Sequence, residues 1–204
     1  MKAILKVDPR IRAKRIDLCE HPIVIRVNNF DDKAAEYFAV DMSDAHNTGQ
    51  SVIPVVIDSF GGFTHSLIAM AAEIKSATLP IATICIGKAM SAGAFLLACG
   101  TEGYRYASID SVIMIHELSA ATWGKQEEIK VDSAEFDRLN KIIFRQLAEN
   151  TGHTEDPEFF LKIIYANRNV DWYLTAKEAK KYNIINKIGI PELKYEVIIK
   201  ETFE

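Results

Sequence analysis

Ser91 lies in Gly87-Lys-Ala-Met-Ser91-Ala-Gly93-Ala-Phe95, between an apolar run that reads as a buried strand and one that reads as a buried helix. A side chain there meets the free N–H groups and the positive dipole end of the helix, which stabilise negative charge. That suits a nucleophile whose tetrahedral intermediate needs donors close by. It equally suits a serine that only caps the helix. Asp58-Ser-Phe-Gly61-Gly62-Phe63 forms a second strand-to-helix junction. Its paired glycines let the backbone approach another segment or turn N–H groups toward an anion, or they simply make a turn. His116 ends the apolar run Val112-Ile-Met-Ile-His116, where either a structural histidine or a base with a tunable pKa would fit. The other histidines (His21, His46, His65, His153) sit among polar or loop residues.

A nucleophilic serine needs a base, and the base needs an orienting carboxylate. Asp171, in Val170-Asp-Trp-Tyr-Leu174-Thr-Ala-Lys-Glu178-Ala, lies just before a capping-box pattern in an aromatic setting that could hold it rigidly. Alone it reads as a turn aspartate. With Ser91 and His116 it completes a possible acyl-transfer set.

The elements around these residues alternate between strand-like and helix-like. Ile23–Val27 is a short β-branched strand, and Asp31 and Asp32 open a helix over Lys33–Ala45. Val52–Asp58 reads as a buried strand, with Pro54 pointing to an edge or bulge. A helix over Thr64–Ser76 follows, then a strand over Ile81–Ile86, a glycine-containing turn and a helix from near Ser91. Tyr104–Tyr106 and Val112–Ile115 read as strands. Phe136, Leu139, Ile143 and Leu147 recur at helical spacing within Glu127–Asn150. Pro157 opens a helix, Thr175–Glu178 a short one, and Tyr195–Ile199 reads as a last strand. This alternation predicts an α/β architecture with β-α-β crossovers.

The composition sets the class. The chain has 204 residues, 24 Lys+Arg against 28 Asp+Glu for a net charge of −4, 49% hydrophobic and 25% charged residues. This is the mixture of a globular protein with a core, and it excludes disordered and low-complexity classes. Without a basic cluster, nucleic acid and anionic membranes are poor partners. Cys19, Cys85 and Cys99 are too few and too irregular for a disulfide framework or zinc site. Charges interrupt the apolar patch of the first residues, as in no secretory signal. The Ile81–Gly100 run carries Lys88, Gly87, Ser91 and Gly93 and reads as strand plus helix rather than a membrane span. The expectation is a single domain over 1–204, without metal or organic cofactor, in the cytoplasm.

Four ordered blocks resemble the proteolytic subunits of the Clp protease family. Ser59-Phe-Gly-Gly62 resembles that family's Ser-Pro-Gly-Gly. Ile84–Ala98 is similar to its nucleophile segment, and Val112–His116 to its Val-Met-Ile-His strand. Asp171–Ala179 with Lys181–Asn186 is similar to its Asp-x-Phe-Leu-Ser/Thr-Ala-x-Glu-Ala and Tyr-Gly-Leu-Ile-Asp ending. The spacing from Gly61 through Ser91 to His116 needs no insertion, and the resemblance runs from about Val52 to Ile188.

The resemblance implies a crotonase-like α/β fold, a β-α-β superhelix with a protruding handle helix within 118–150. It implies Ser91 as nucleophile, His116 as general base then acid, Asp171 as orienter of the imidazole, and the N–H groups of Gly61 and Ala92 as oxyanion hole. The substrate would lie extended between Gly62, Phe63 and Thr64 on one side and Leu118 and Ser119 on the other. The family assembles paired seven-membered rings (a tetradecamer) around a chamber fed by an AAA+ unfoldase, so unfolded polypeptides, other copies of the chain and such an ATPase are the implied partners. Trp123 and the poor apolar/polar segregation over Ala89–Cys99 also predict an oligomer. The chain departs from the family at Phe60 and Phe63, at Glu117-Leu118-Ser119 after the histidine, and over residues 1–50. Three alternatives stay open: a dedicated processing or phage protease, with Lys88 as partner of Ser91; a non-catalytic ring subunit; and an acyl-CoA enzyme of the same fold.

Overall fold

The computed structural model describes residues 22–119, 123–167 and 170–192. In chain order the elements are β1 (Ile25–Val27), α1 (Asp32–Asn47), β2 (Ile53–Ser59), α2 (Thr64–Ser76), β3 (Ile81–Met90) and α3 (Ala92–Ala98). They continue with β4 (Arg105–Ala107), β5 (Val112–Ile115), α4 (Gln126–Asn150), α5 (Phe159–Ala166), β6 (Trp172–Thr175), α6 (Ala176–Lys181) and β7 (Lys187–Ile188). The α/β alternation read from the sequence holds, and the predicted strand Tyr195–Ile199 lies outside the described residues.

The parallel ladder runs β1-β2-β3-β4-β7, and β3 is its organising strand. The first part of β3 pairs with β4 through Thr83–Cys85. Its last part pairs with β5 through Lys88–Met90. β6 then pairs antiparallel with β5. Serving two partners in succession requires a longer strand than Ile81–Ile86, so the glycine-containing turn expected after Ile86 is instead strand, carried on to Met90. The ladder with β2 shifts register over the same interval, where Ile57 pairs with Cys85 but Ser59 with Ala89.

Local chemistry sets the boundaries. Asp31 accepts from the Ala34 N–H at 2.7 Å and caps α1. Thr175 and Glu178 form the expected capping box of α6. Pro54 pairs with Ala82 inside β2. It is tolerated there because β1 starts pairing only at Val55, so Pro54 has a ladder neighbour on one side only. The helix expected from Pro157 starts two residues later, at Phe159.

The core lies where α1, α2 and α3 cover β2 and β3, with Ile53, Val55, Ile57, Leu96, Leu97 and Phe144 fully buried. Every residue of α3 is buried. The unsegregated Ala89–Cys99 run is therefore consumed by the core and gives no sign of an interface; Trp123, 85% exposed, stays open. α4 buries Leu139, Ile143, Phe144 and Leu147 on its C-terminal half, while residues 126–134 are exposed on all sides and Phe136 is only half-buried. None of the described helices is long and apolar enough to cross a membrane.

Arg105 fastens the far side of the fold. Fully buried, it donates to Asn186 Oδ1 at 3.1 Å and to the Ala98 carbonyl at 3.2 Å, and it pairs with Glu102. It thereby ties the end of α3 to the entry of β7, and so holds the helix that follows Ser91.

Candidate active site

Ser91 follows the last residue of β3 and precedes the first of α3. Its backbone takes φ 51° and ψ −125°, at positive φ and outside the regions that non-glycine residues ordinarily adopt. Its N–H donates to the Met114 carbonyl on β5 at 2.8 Å, and its carbonyl accepts from Ala94 N–H at 2.9 Å. The strained turn is thus fixed from both sides. Its hydroxyl makes no capping bond to the helix, so the alternative reading of Ser91 as a mere cap fails.

The glycine turn after β2 packs directly onto this serine. A Cβ built on Gly61 would lie 2.7 Å from Ser91 Cβ and 3.2 Å from the Ala92 nitrogen. With φ at +106°, only glycine adopts this backbone without strain. Gly61 and Ala92, the residues whose N–H groups the resemblance implies as donors, are brought together beside Ser91. Ala92 N–H opens α3, where helix N–H groups lack intrahelical partners, and Gly61 N–H donates to Ser59 Oγ at 3.1 Å.

Gly62 forms a parallel bridge with Phe30, and Phe63 N–H donates to the Phe30 carbonyl at 2.7 Å. The loop before α1, within the region of poor resemblance, is therefore what holds the glycine turn from behind. By strand alternation the N–H and C=O of Gly62 itself face the other edge. Phe60 and Phe63 flank the glycines and are 73% and 66% exposed. Thr64 begins α2.

His116 and Asp171 extend the ladder by one step. Ile115 pairs with Trp172 in the antiparallel β5–β6 ladder, so the next facing positions are His116 and Asp171. Met90 pairs with Met114, which brings the ends of β3 and β5 level. Three strand ends thus converge at the three residues the sequence singles out. The side chains do not complete the relay: among the described residues no hydrogen bond joins Ser91 to His116 or His116 to Asp171. His116 Nδ1 lies 3.4 Å from Ser119 Oγ instead. The aromatic setting is real, with Trp172 4.9 Å from Tyr182 and 6.4 Å from Phe160 by ring centroid. It anchors the strand and not the carboxylate, which is exposed.

Two groups escape the sequence reading. Asn140 on α4 donates to Glu117 Oε1 at 2.9 Å and accepts from Leu118 N–H at 3.2 Å, while Tyr165 OH donates to the same Glu117 oxygen at 3.1 Å. Residues 117 and 118 are thereby pinned to α4 and α5 just after the histidine. Burial and the adjoining Glu117 push the Tyr165 phenol up from its ordinary value. The second group is Asp58 with Lys88, joined at 2.9 Å. The hydrogen bond from Lys88 holds the Asp58 carboxyl below the usual carboxylate range. Lys88 is thus engaged with a carboxylate three residues before Ser91, which removes the geometric basis for a Ser91–Lys88 pair. The only signal for it in the sequence is position: Asp58 stands three residues before Gly61 as Lys88 does before Ser91.

A protein-family model described as Clp protease matches residues 11–192. The match extends far ahead of Val52, so the segment carrying Phe30 and α1 falls inside the family region.

Proposed function

Because the chain belongs to the Clp protease family, a family of serine peptidases, we propose that it is a serine endopeptidase that cleaves unfolded polypeptides and short peptides through an acyl-enzyme. The observation that carries the reading is the contact between the two strand-to-helix junctions. Gly61 lies against Ser91 and Ala92 N in a backbone conformation that an added side chain would strain, and Ser91 itself has a positive φ and a hydroxyl free of capping. Strain of this kind needs surrounding structure to hold it and concentrates at functional positions.

In the proposed reaction Ser91 Oγ attacks the scissile carbonyl carbon as His116 takes its proton. The N–H groups of Gly61 and Ala92 receive the charge that develops on the carbonyl oxygen. Reception requires Gly61 N–H to exchange its Ser59 Oγ partner for the oxyanion. His116 then protonates the departing amine. Water, activated by the same imidazole, releases the acyl group and restores Ser91. Asp171 holds the imidazole once His116 turns from Ser119 toward the facing position on β6, since catalytic hydrogen bonds often tighten only with substrate bound.

The substrate lies extended beside the free edge of Gly62, between Phe63–Thr64 and Leu118–Ser119, and pairs by main-chain bonds that read backbone more than side chains. The fold is of the crotonase-like type, and the exposed half of α4 is the handle of a homo-oligomer built from seven-membered rings. Ring stacking forms the chamber, and an AAA+ ATPase delivers unfolded chains to it in the cytoplasm. Support for this level is the family membership and the exposed 126–134 stretch.

The test is hydrolysis of a fluorogenic peptide and of unfolded casein by purified protein. The reading predicts activity that Ser91→Ala removes; activity equal in Ser91→Ala and wild type would refute it.

A further inference from the structure

The pairing of Asp58 with Lys88 lies outside the catalytic set yet joins its two halves. Asp58 sits in β2 before the Gly61 turn, and Lys88 sits in β3 before Ser91. One carboxylate oxygen, Asp58 Oδ1, accepts both from Lys88 Nζ at 2.9 Å and from the Lys88 backbone N–H at 3.2 Å. Gly87 makes that approach feasible, because a Cβ there would stand 2.9 Å from the same oxygen.

The contact falls where the ladder between the two strands is broken. Ile57 pairs with Cys85 and Ser59 with Ala89, so two steps along β2 span four along β3. Regular pairing is lost across the interval that separates the core from the site, as at other bulges. A two-point bond from one side chain to the opposite backbone and ammonium takes its place. The same ammonium lies 4.4 Å from the centroid of the Phe60 ring, the residue immediately before Gly61. Lys88 therefore holds the approach to Gly61 at two positions, Asp58 at the end of β2 and Phe60 in the turn.

We propose that the Asp58–Lys88 pair is a positioning clamp for the oxyanion hole. It sets the separation of the Gly61 turn from the Ser91 turn, and the Phe60 ring packed on Lys88 fixes the entry of the glycines. The proposal rests on the serine-peptidase reading. Neither residue contacts substrate; both act through the placement of Gly61 N–H relative to Ser91 Oγ.

The test is the rate of phosphonylation of Ser91 by a fluorophosphonate, resolved into the limiting rate constant kinact and the half-saturating concentration KI. The proteins are wild type, Asp58→Asn, Lys88→Met and the double variant Asp58→Asn/Lys88→Gln, which can replace the ion pair by an amide–amide hydrogen bond. Misplacing an oxyanion donor by a fraction of an ångström should lower kinact about tenfold in each single variant, with KI within about twofold, and the double variant should recover most of it. Thermal midpoints identify any variant that fails to fold, and Lys88→Met, which keeps the length of the stem, serves if Asp58→Asn does. Wild-type kinact in both single variants overturns the clamp, as does a change confined to KI or a double variant no faster than the singles. Failure of the wild type itself to react at Ser91 instead overturns the serine-peptidase reading, and the clamp with it.

Discussion

Gly61 approaches Ser91 so closely that a Cβ built on it would lie 2.7 Å from the serine's Cβ, nearer than packed side chains stand. The contact joins the ends of β2 and β3 at the point where charge would develop. Gly61→Ala must therefore displace the serine, the glycine turn or both. We expect a kcat loss on the order of 10²–10³, the size seen when one oxyanion donor is lost. Steady-state kinetics on a peptide substrate, with circular dichroism as a folding control, check it.

His116 and Asp171 face each other one step past the Ile115–Trp172 pair, while Ser119 Oγ holds the imidazole nitrogen at 3.4 Å. If Asp171 orients the imidazole during turnover, Asp171→Asn lowers kcat on the order of 10³-fold by favouring the wrong tautomer. Ser119→Ala removes the resting contact at the edge of the proposed substrate groove and lowers kcat far less than Asp171→Asn does. The pair of variants, measured side by side, distinguishes the catalytic partner of His116 from its resting one.

Asn140 fastens Glu117 and Leu118 to α4 by two hydrogen bonds. Asn140→Ala is expected to cost about 1–2 kcal/mol in stability, since it leaves a part-buried N–H and a carboxylate oxygen short of a partner. It should also lower kcat by loosening the segment after His116. Urea denaturation and peptide kinetics on the same preparation check both effects.

Burial pushes the Cys85 thiol up to about 11 and the Cys99 thiol up to about 12. A raised thiol pKa favours the protonated form in the folded state. That stability is fully present below the unfolded value near 9 and is lost as pH rises toward 11 and above. Neither thiol should therefore alkylate with iodoacetamide at pH 8 in folded protein, and both should react in urea. Peptide mapping after alkylation gives the answer.

Much of the fold was legible because its signals are local. The bounds Thr64–Ser76 of α2, the capping box of α6 and the strand Val112–Ile115 follow from periodicity and caps. β3 runs past the turn that Gly87 suggests because its continuation depends on β5, which lies far along the chain and takes over as partner where β4 ends. β6 carries no local signal, because four residues beside a capped helix gain their strand character only from pairing with β5. At the site, Ser91, His116 and Asp171 stand out by residue type and order and adjoin strand ends that the sheet brings level, whereas Gly61 and Ala92 as donors come from the family resemblance. The Asn140–Glu117–Tyr165 cluster and the Asp58–Lys88 pair do not stand out, because side chains distant in sequence meet only after the sheet has formed.

The most direct measurement is reaction of the native protein with a fluorophosphonate probe, followed by location of the modified residue by peptide mass spectrometry. The account predicts a single phosphonylated residue, Ser91, and loss of the reaction in His116→Ala. Labelling elsewhere, or labelling of Ser91 undiminished in His116→Ala, would contradict a serine activated by His116.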